Sequence, residues 1–478
     1  YAVFKKSQEQ GADYYSLANT HERSAAFVGV GTYSWKRRYS ITGTYRYEGT
    51  NRMGKSRSAR WMPTWNVSGA WNVHEESWFN KLQPALSNLT FKLSYSLTAD
   101  RGPSSVTNSR VVIMAENPWR PSAGDNESSL YIAQLANNEL TYEKKHELNF
   151  GIDAGFLNNR INFTFDIYSR RNYDLIGVIN TQGTGGEPRK YGNVAKMKSN
   201  GVEIALNTVN IKTKDFTWTT DLIYSHMHNE VTELNTLNRM YDYISGSGFT
   251  MPGYPQRSLF SIPFMGLNNE GLPTFLDQDG NVSVTGINMQ EYDPERLKFL
   301  KYEGPVDPTD VGSLGNVFRY KGVTLNLFIT YSFGNVVRLD PVFSSSYSDL
   351  TATPKEFKDR WVKPGDENFT NVPVIASKQQ LNNIAYLSTA YQAYNYSTER
   401  VAKGDFIRMK EISLGYEFPK SITQPLRLSN LSLKLMATNL FLIYADKKLN
   451  GQDPEFFNAG GVANPMPKQF TLTLKFGI

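Results

Sequence analysis

The stretch Gln469-Phe-Thr-Leu-Thr-Leu-Lys-Phe-Gly-Ile478 alternates strictly between apolar and polar residues. Phe470, Leu472, Leu474, Phe476 and Ile478 fall on one face, and Gln469, Thr471, Thr473, Lys475 and Gly477 on the other. Successive Cβ atoms of a β-strand point to opposite faces, so this pattern is that of a strand. Its length also suits a tilted strand crossing the hydrocarbon core of a bilayer. The apolar face is therefore expected to meet lipid. A strand of a soluble sandwich would show the same alternation, and the rest of the chain has to decide between the two.

Alternating runs of similar length recur at residues 23–33, 39–47, 65–73, 89–98, 147–154, 161–168, 202–208, 216–226, 323–333, 412–418 and 431–435. A weaker run at 311–319 and the closing stretch bring the total to about thirteen strands. In the run 65–73, Trp65, Val67, Trp71 and Val73 are expected on one face.

The connections sort by parity. Counting back from the last strand, those on its own side are 419–430, 320–322, 209–215, 156–159, 74–88 and 35–38, most of them short. The opposite side receives 445–468, 335–403, 229–310, 172–200, 100–140 and 48–60, mostly long and rich in Gly, Pro, Ser, Asn and Tyr. Short turns on one side and long loops on the other mark outer-membrane barrels. A sandwich has no reason to sort its loops in this way. The fold class expected is all-β, an antiparallel transmembrane β-barrel.

Composition agrees. The 478 residues include 28 Tyr, 27 Phe and 8 Trp, a surplus that aromatic girdles at the two membrane interfaces would use. No cysteine is present, which removes disulfides and thiolate metal sites. The net charge of +6 is not gathered into basic runs, so no nucleic-acid partner is expected. Mean hydropathy is −0.46 and no apolar run reaches the length of a membrane helix, as expected when only alternate residues meet lipid. Residues 1–10 hold no apolar core of a secretion signal. Thirteen is an odd count, whereas bacterial single-chain barrels have an even one, and an open edge cannot lie in lipid. Residues 1–478 are therefore expected to be the C-terminal part of a larger barrel, with the remaining strands in preceding sequence.

Four stretches resemble the SusC/RagA-like TonB-dependent outer-membrane transporters. The first is Arg60-Trp-Met-Pro-Thr-Trp-Asn-Val-Ser-Gly-Ala-Trp71 followed by Leu89-Thr-Phe-Lys-Leu-Ser-Tyr95. The second runs from Leu140-Thr-Tyr-Glu-Lys-Lys-His-Glu-Leu-Asn-Phe-Gly-Ile-Asp153 through Asn159-Arg-Ile161 and Tyr191-Gly-Asn193 to Asn200-Gly-Val-Glu203. The third is Arg360-Trp-Val-Lys-Pro-Gly-Asp-Glu367. The fourth is Gly404-Asp-Phe-Ile-Arg-Met-Lys-Glu-Ile-Ser-Leu-Gly-Tyr-Glu-Phe-Pro419, then Ala437-Thr-Asn-Leu-Phe441 and Asp453-Pro-Glu455. The resemblance implies a plugged barrel of about 22 strands. It also implies TonB-energised import of an oligosaccharide or peptide, and a SusD-like surface lipoprotein as lid. No plug and no TonB-contacting segment are found in this chain, and the region 311–322 is shorter than the family pattern.

Other motifs read as structure. His226 and His228 share a strand face without a third ligand and suit an interfacial girdle better than a metal site. Asp277-Gln-Asp-Gly-Asn281 lacks the downstream Glu of a calcium loop and reads as an Asp-Gly turn. Gly183-Thr-Gly-Gly186 lacks the Lys-Ser/Thr of a phosphate loop. No catalytic constellation or cofactor site is found, so an enzyme is not expected. Tyr386, Tyr391, Tyr394 and Tyr396 form a Tyr-rich stretch in a long connection. They read equally as a contact for the lid protein or cargo and as loop packing. A scaffold role in a larger outer-membrane complex and a passive porin are the alternatives to active import.

Overall fold

The computed structural model describes residues 21–102, 111–116, 129–184, 189–236, 238–245, 248–343, 355–458, 461–462 and 467–478, together with Lys5. Thirteen strands form one antiparallel sheet whose spatial order is the chain order. They are β1 (Ser24–Trp35), β2 (Tyr39–Thr50), β3 (Trp61–Asn72), β4 (Leu86–Asp100), β5 (Glu143–Phe156), β6 (Ile161–Asn180) and β7 (Arg189–Lys212). The series continues with β8 (Phe216–Leu234), β9 (Asp310–Tyr320), β10 (Val323–Phe333), β11 (Phe406–Glu417), β12 (Asn430–Ala445) and β13 (Gln469–Gly477). Every expected run lies within one of these strands to within a residue at its ends, including the weak one at 311–319. Among the described residues, β1 and β13 are the edges, each paired with a single neighbour. Among the described residues no helix is long and apolar enough to cross a membrane.

Register places one apolar row after another on a single face. Leu325, Leu414, Leu435 and Leu472 face one another across β10 to β13, and Leu93, Phe150, Ile167 and Val202 do so across β4 to β7. Exposure is the reverse of a water-soluble protein. Leu414 is 50% exposed, whereas its neighbour Ser413 on the opposite face is 4% exposed. Apolar side chains turned outward and small polar ones occluded inward are what a hydrocarbon solvent selects. The inward face carries ion pairs such as Arg170–Glu147 at 2.9 Å and Lys434–Glu411 at 3.6 Å.

Aromatic rows bound this apolar band. At the short-turn end Trp35, Tyr39, Trp71 and Phe91 pack in series, with centroids 5.9–6.2 Å apart. Glu76, in the adjoining turn, accepts hydrogen bonds from Tyr39 (2.7 Å) and the Trp71 indole (3.3 Å) and pairs with Arg38. The Tyr39 hydrogen bond is the main cause that holds its carboxyl below the usual carboxylate range. At the other end Trp65, Tyr95, His146 and Tyr173 form a second row.

The short turns close tightly. Lys36 and Arg37 lie at φ 50° and 59°, and Lys321 and Gly322 at 45° and 88°. Residues 321–322 make a two-residue hairpin whose twist such paired positive φ values match, and the three-residue turn 36–38 uses the same pair of values. Two expectations are corrected here. Val73 leaves the sheet for a 3₁₀ turn and is 2% exposed, because β3 ends at Asn72 and the chain folds back under the hairpin. The expected loop 172–200 is largely strand: β6, β7 and β8 run for 20, 24 and 19 residues, carrying the ladder beyond the apolar band. Gly183 lies just past β6, while residues 185–186 of its glycine cluster lie outside the described residues.

Candidate functional site

Two long connections, from β8 to β9 and from β10 to β11, build one compact unit above the long-loop end of the sheet. Met240, Ile262, Phe275 and Leu297 of the first share a core with Phe343, Phe357, Leu387 and Tyr394 of the second. The two sets of side chains exclude water by packing on one another.

Backbone pairing reinforces the contact. Ile262 donates to the Tyr396 carbonyl (3.1 Å) and accepts from Thr398 (3.0 Å), a parallel bridge between the connections. Arg338 is partly buried between the two connections. Its guanidinium donates to the Phe260 carbonyl (2.6 Å), the Ser397 carbonyl (3.2 Å) and Ser261 Oγ (3.1 Å), and burial lowers its pKa to about 10. Asn395 Oδ1 accepts from the backbone N–H of Val342 (3.0 Å) and Phe343 (3.2 Å), while its Nδ2 donates to the Phe343 carbonyl (2.8 Å).

The four tyrosines divide by position. The helix Leu387–Asn395 places Leu387, Ala390, Tyr391 and Tyr394 at i, i+3, i+4 and i+7, the apolar stripe of an amphipathic helix. Tyr394 is 1% exposed and packs edge-on against Phe264 and Phe343; Tyr391 is 7% exposed and also meets Phe343. Burial raises the Tyr394 pKa, and burial with a hydrogen bond to Tyr241 pushes that of Tyr396 up to about 12. Tyr386, at the start of the helix with φ 62°, is 73% exposed. Of the four, Tyr386 is thus the one offered to solvent, and Tyr391 and Tyr394 serve the core. The helical spacing was the signal in the sequence for this inward pair.

The third motif is a turn that locks the same unit. Gly365 adopts φ 102°, Asp366 accepts from the N–H of Val362 and Lys363, and Glu367 accepts from the Trp361 indole (2.9 Å) and the Gly365 N–H (2.8 Å). The Trp361 hydrogen bond is the main cause that holds the Glu367 carboxyl below its ordinary range. The Trp361 ring covers Gly271, where a Cβ would sit 2.4 Å from it.

Two hollows flank the short helix Lys378–Asn383. One, of about 590 Å³, is lined by Asn269, Glu270, Gln379, Gln380, Asn383 and Trp361. The other, of about 630 Å³, is lined by Phe343, Ile375, Leu381, Tyr391, Gln392 and Tyr396. Amides in the first offer hydrogen bonds to hydroxyl or peptide groups, and apolar side chains in the second offer burial.

The remaining motifs hold the wall together. Thr141 and Asn193 of the second stretch bond reciprocally, with Thr141 N–H to Asn193 Oδ1 at 2.9 Å and Asn193 Nδ2 to the Thr141 carbonyl at 2.8 Å. In the fourth, inward-facing Arg408 is paired with Asp453 and with Glu455 (2.7 Å). Asp277 Oδ1 accepts from the N–H of Asp279 and Asn281 within an Asp-Gly turn. His226 Nδ1 lies 2.9 Å from Asp310, which also accepts from Tyr224 (2.6 Å). Among the described residues no group of three His, Asp or Glu converges as metal ligands.

Residues 5–340, well over half of the chain, match the family described as TonB dependent receptor-like, beta-barrel. The chain belongs to this family. Its SusC/RagA-like character is supported by the TonB-dependent receptor SusC of Bacteroides thetaiotaomicron, 26% identical over 98% of this chain and 44% of SusC. A TonB-dependent receptor of Formosa agariphila is 26% identical over 94% of this chain and 45% of its own length. The RagAB peptide transporter superposes with a TM-score of 0.76 at 22% identity, covering 95% of this chain and 47% of that one. The chain spans about half the length of the curated relatives it matches. Family membership gives the sheet its setting in an outer membrane.

Proposed function

We propose that this chain forms part of the wall and mouth of a TonB-dependent outer-membrane importer of a bulky nutrient, an oligosaccharide or peptide. The observation that carries this reading is the pairing of a polar inward face with an ordered extracellular unit made from two connections. A passive pore has no need of such a unit. Loops of this length with a shared core usually serve recognition. The open edges β1 and β13 are completed in the membrane by further strands of the same barrel, since unpaired ladder groups cannot face lipid. A SusD-like surface lipoprotein covers the mouth, and exposed residues such as Tyr386 and Phe369 contribute to that contact. The reading assigns the chain no catalytic role and no cofactor.

Uptake by intact cells tests it. Labelled oligosaccharides and peptides too large for porins are offered to the parent strain and to one lacking the protein, with and without an uncoupler of the proton-motive force. Energised import requires that deletion and uncoupling each abolish uptake of at least one labelled pool. Uptake that depends on the protein but survives uncoupling would establish a passive pore instead.

A further inference from the structure

The outward face carries one hollow that the transport reading does not use. It lies in the apolar band across β4 to β8, with a volume of about 400 Å³. Phe150, Ile167 and Val202 form its floor, with His226 in the same row, and Asn200 and His228 form its polar upper rim. Register fixes what lies above the rim. Ser169, Asn200 and His228 form one row across β6, β7 and β8. The next outward row, two residues nearer the extracellular end, contains His146, Arg171, Lys198 and Glu230.

The height of this upper row follows from geometry. From Ile161, where β6 leaves the short turn, to Arg171 is about 33 Å of strand at ~3.3 Å per residue. A tilt of ~45° reduces that to about 23 Å of height. An outward apolar band is about 25 Å tall, so Arg171 stands at the level of the outer-leaflet headgroups. His146 at the same level is stacked between Tyr95 and Tyr173, 5.7 Å from each, within the aromatic row that marks the interface. Lys198 is shared with Glu230 at 2.9 Å. Among the described residues Arg171 is exposed and has no ion-pair partner. A guanidinium left without a carboxylate at this level is suited to bidentate binding of a phosphate.

We propose that the hollow holds an acyl chain of a phosphorylated glycolipid of the outer leaflet. Arg171 and Lys198 meet its phosphate, Asn200 and His228 its sugar hydroxyl and amide groups, and Phe150, Ile167 and Val202 its chain. The row of neutral polar groups between cation and floor favours a sugar headgroup over a glycerol phosphate, which has little to offer them.

The protein is extracted from outer membranes in mild detergent, and native mass spectrometry follows retention of added bisphosphorylated lipid A, lipid A without phosphate, and phosphatidylglycerol. Heat-modifiable migration on gels first establishes that each variant is folded. Wild-type protein should retain bisphosphorylated lipid A most strongly. Arg171→Gln should weaken retention about fivefold and Arg171→Glu further, the scale of one basic side chain at a membrane surface. Val202→Trp, which fills the floor, should lower retention of both lipid A forms. Unchanged retention in the Arg171 variants or in Val202→Trp overturns the proposal, as does phosphatidylglycerol held as strongly as lipid A.

Discussion

Arg408 on β11 and Asp453 in the connection after β12 form an ion pair on the inward face of the wall, with only 4% and 8% of their side chains exposed. The two residues belong to separate pieces of the fourth stretch, and the pair joins those pieces across the inward face. Removing one partner of a buried pair leaves the other charge without compensation, at about 3–5 kcal/mol. Arg408→Met should therefore lower the unfolding temperature of the purified barrel far more than the double variant Arg408→Met with Asp453→Leu. Equal losses in the two, read by differential scanning calorimetry, would remove the pair from the account.

Leu414 and Ser413 are adjacent on β11 but face opposite solvents. Arg at the middle of the lipid face costs about 2–4 kcal/mol, so Leu414→Arg should reduce the yield of folded protein in outer membranes. Ser413→Arg, with its side chain directed inward, should reduce it less. The check is the folded band in quantitative immunoblots of membrane fractions, and equal yields would contradict the facing.

Gly271 adopts φ 75° beneath the Trp361 ring. Gly271→Ala combines a conformational cost of about 1–3 kcal/mol with a steric clash. It should open the extracellular unit to protease on intact cells while leaving the barrel heat-modifiable. A proteolysis pattern identical to the wild type would show that the two connections do not depend on this contact.

Asn395→Ala leaves two buried N–H groups, those of Val342 and Phe343, without their acceptor, at about 1–3 kcal/mol for each group stranded. Hydrogen exchange should rise in the helix Leu387–Asn395 and, through the shared core, around Ile262 and Phe275. Exchange confined to residues 340–343 would mean that the two connections are independent.

The wall was legible because period-two alternation depends on each strand alone: the apolar residues of β10 and β13 declare their faces without their neighbours. The extensions of β6, β7 and β8 were hidden, because beyond the bilayer nothing demands that alternate residues be apolar. There Lys196, Lys198, Glu230 and Glu233 pair across strands while reading as loop composition. The extracellular unit was the least legible part. Its order rests on contacts such as Ile262 with Tyr396 and Arg338 with Phe260, which join residues far apart in sequence, and no local pattern encodes them. The helix carrying Tyr391 and Tyr394 did have a local signal, in the spacing of Leu387, Ala390, Tyr391 and Tyr394. The abundance of tyrosine by itself suits surface contact and loop packing equally.

The chain contains no cysteine, so single cysteines report its topology against a silent background. Phe369, 91% exposed, lies in the unit built by the two long connections, and Arg37 lies in the three-residue turn 36–38 at the opposite end of the sheet. A membrane-impermeant maleimide should label Phe369→Cys on intact cells and Arg37→Cys only after the outer membrane is permeabilised. Labelling of Arg37→Cys on intact cells, or protection of Phe369→Cys there, would contradict a wall that crosses the outer membrane with its long connections outside.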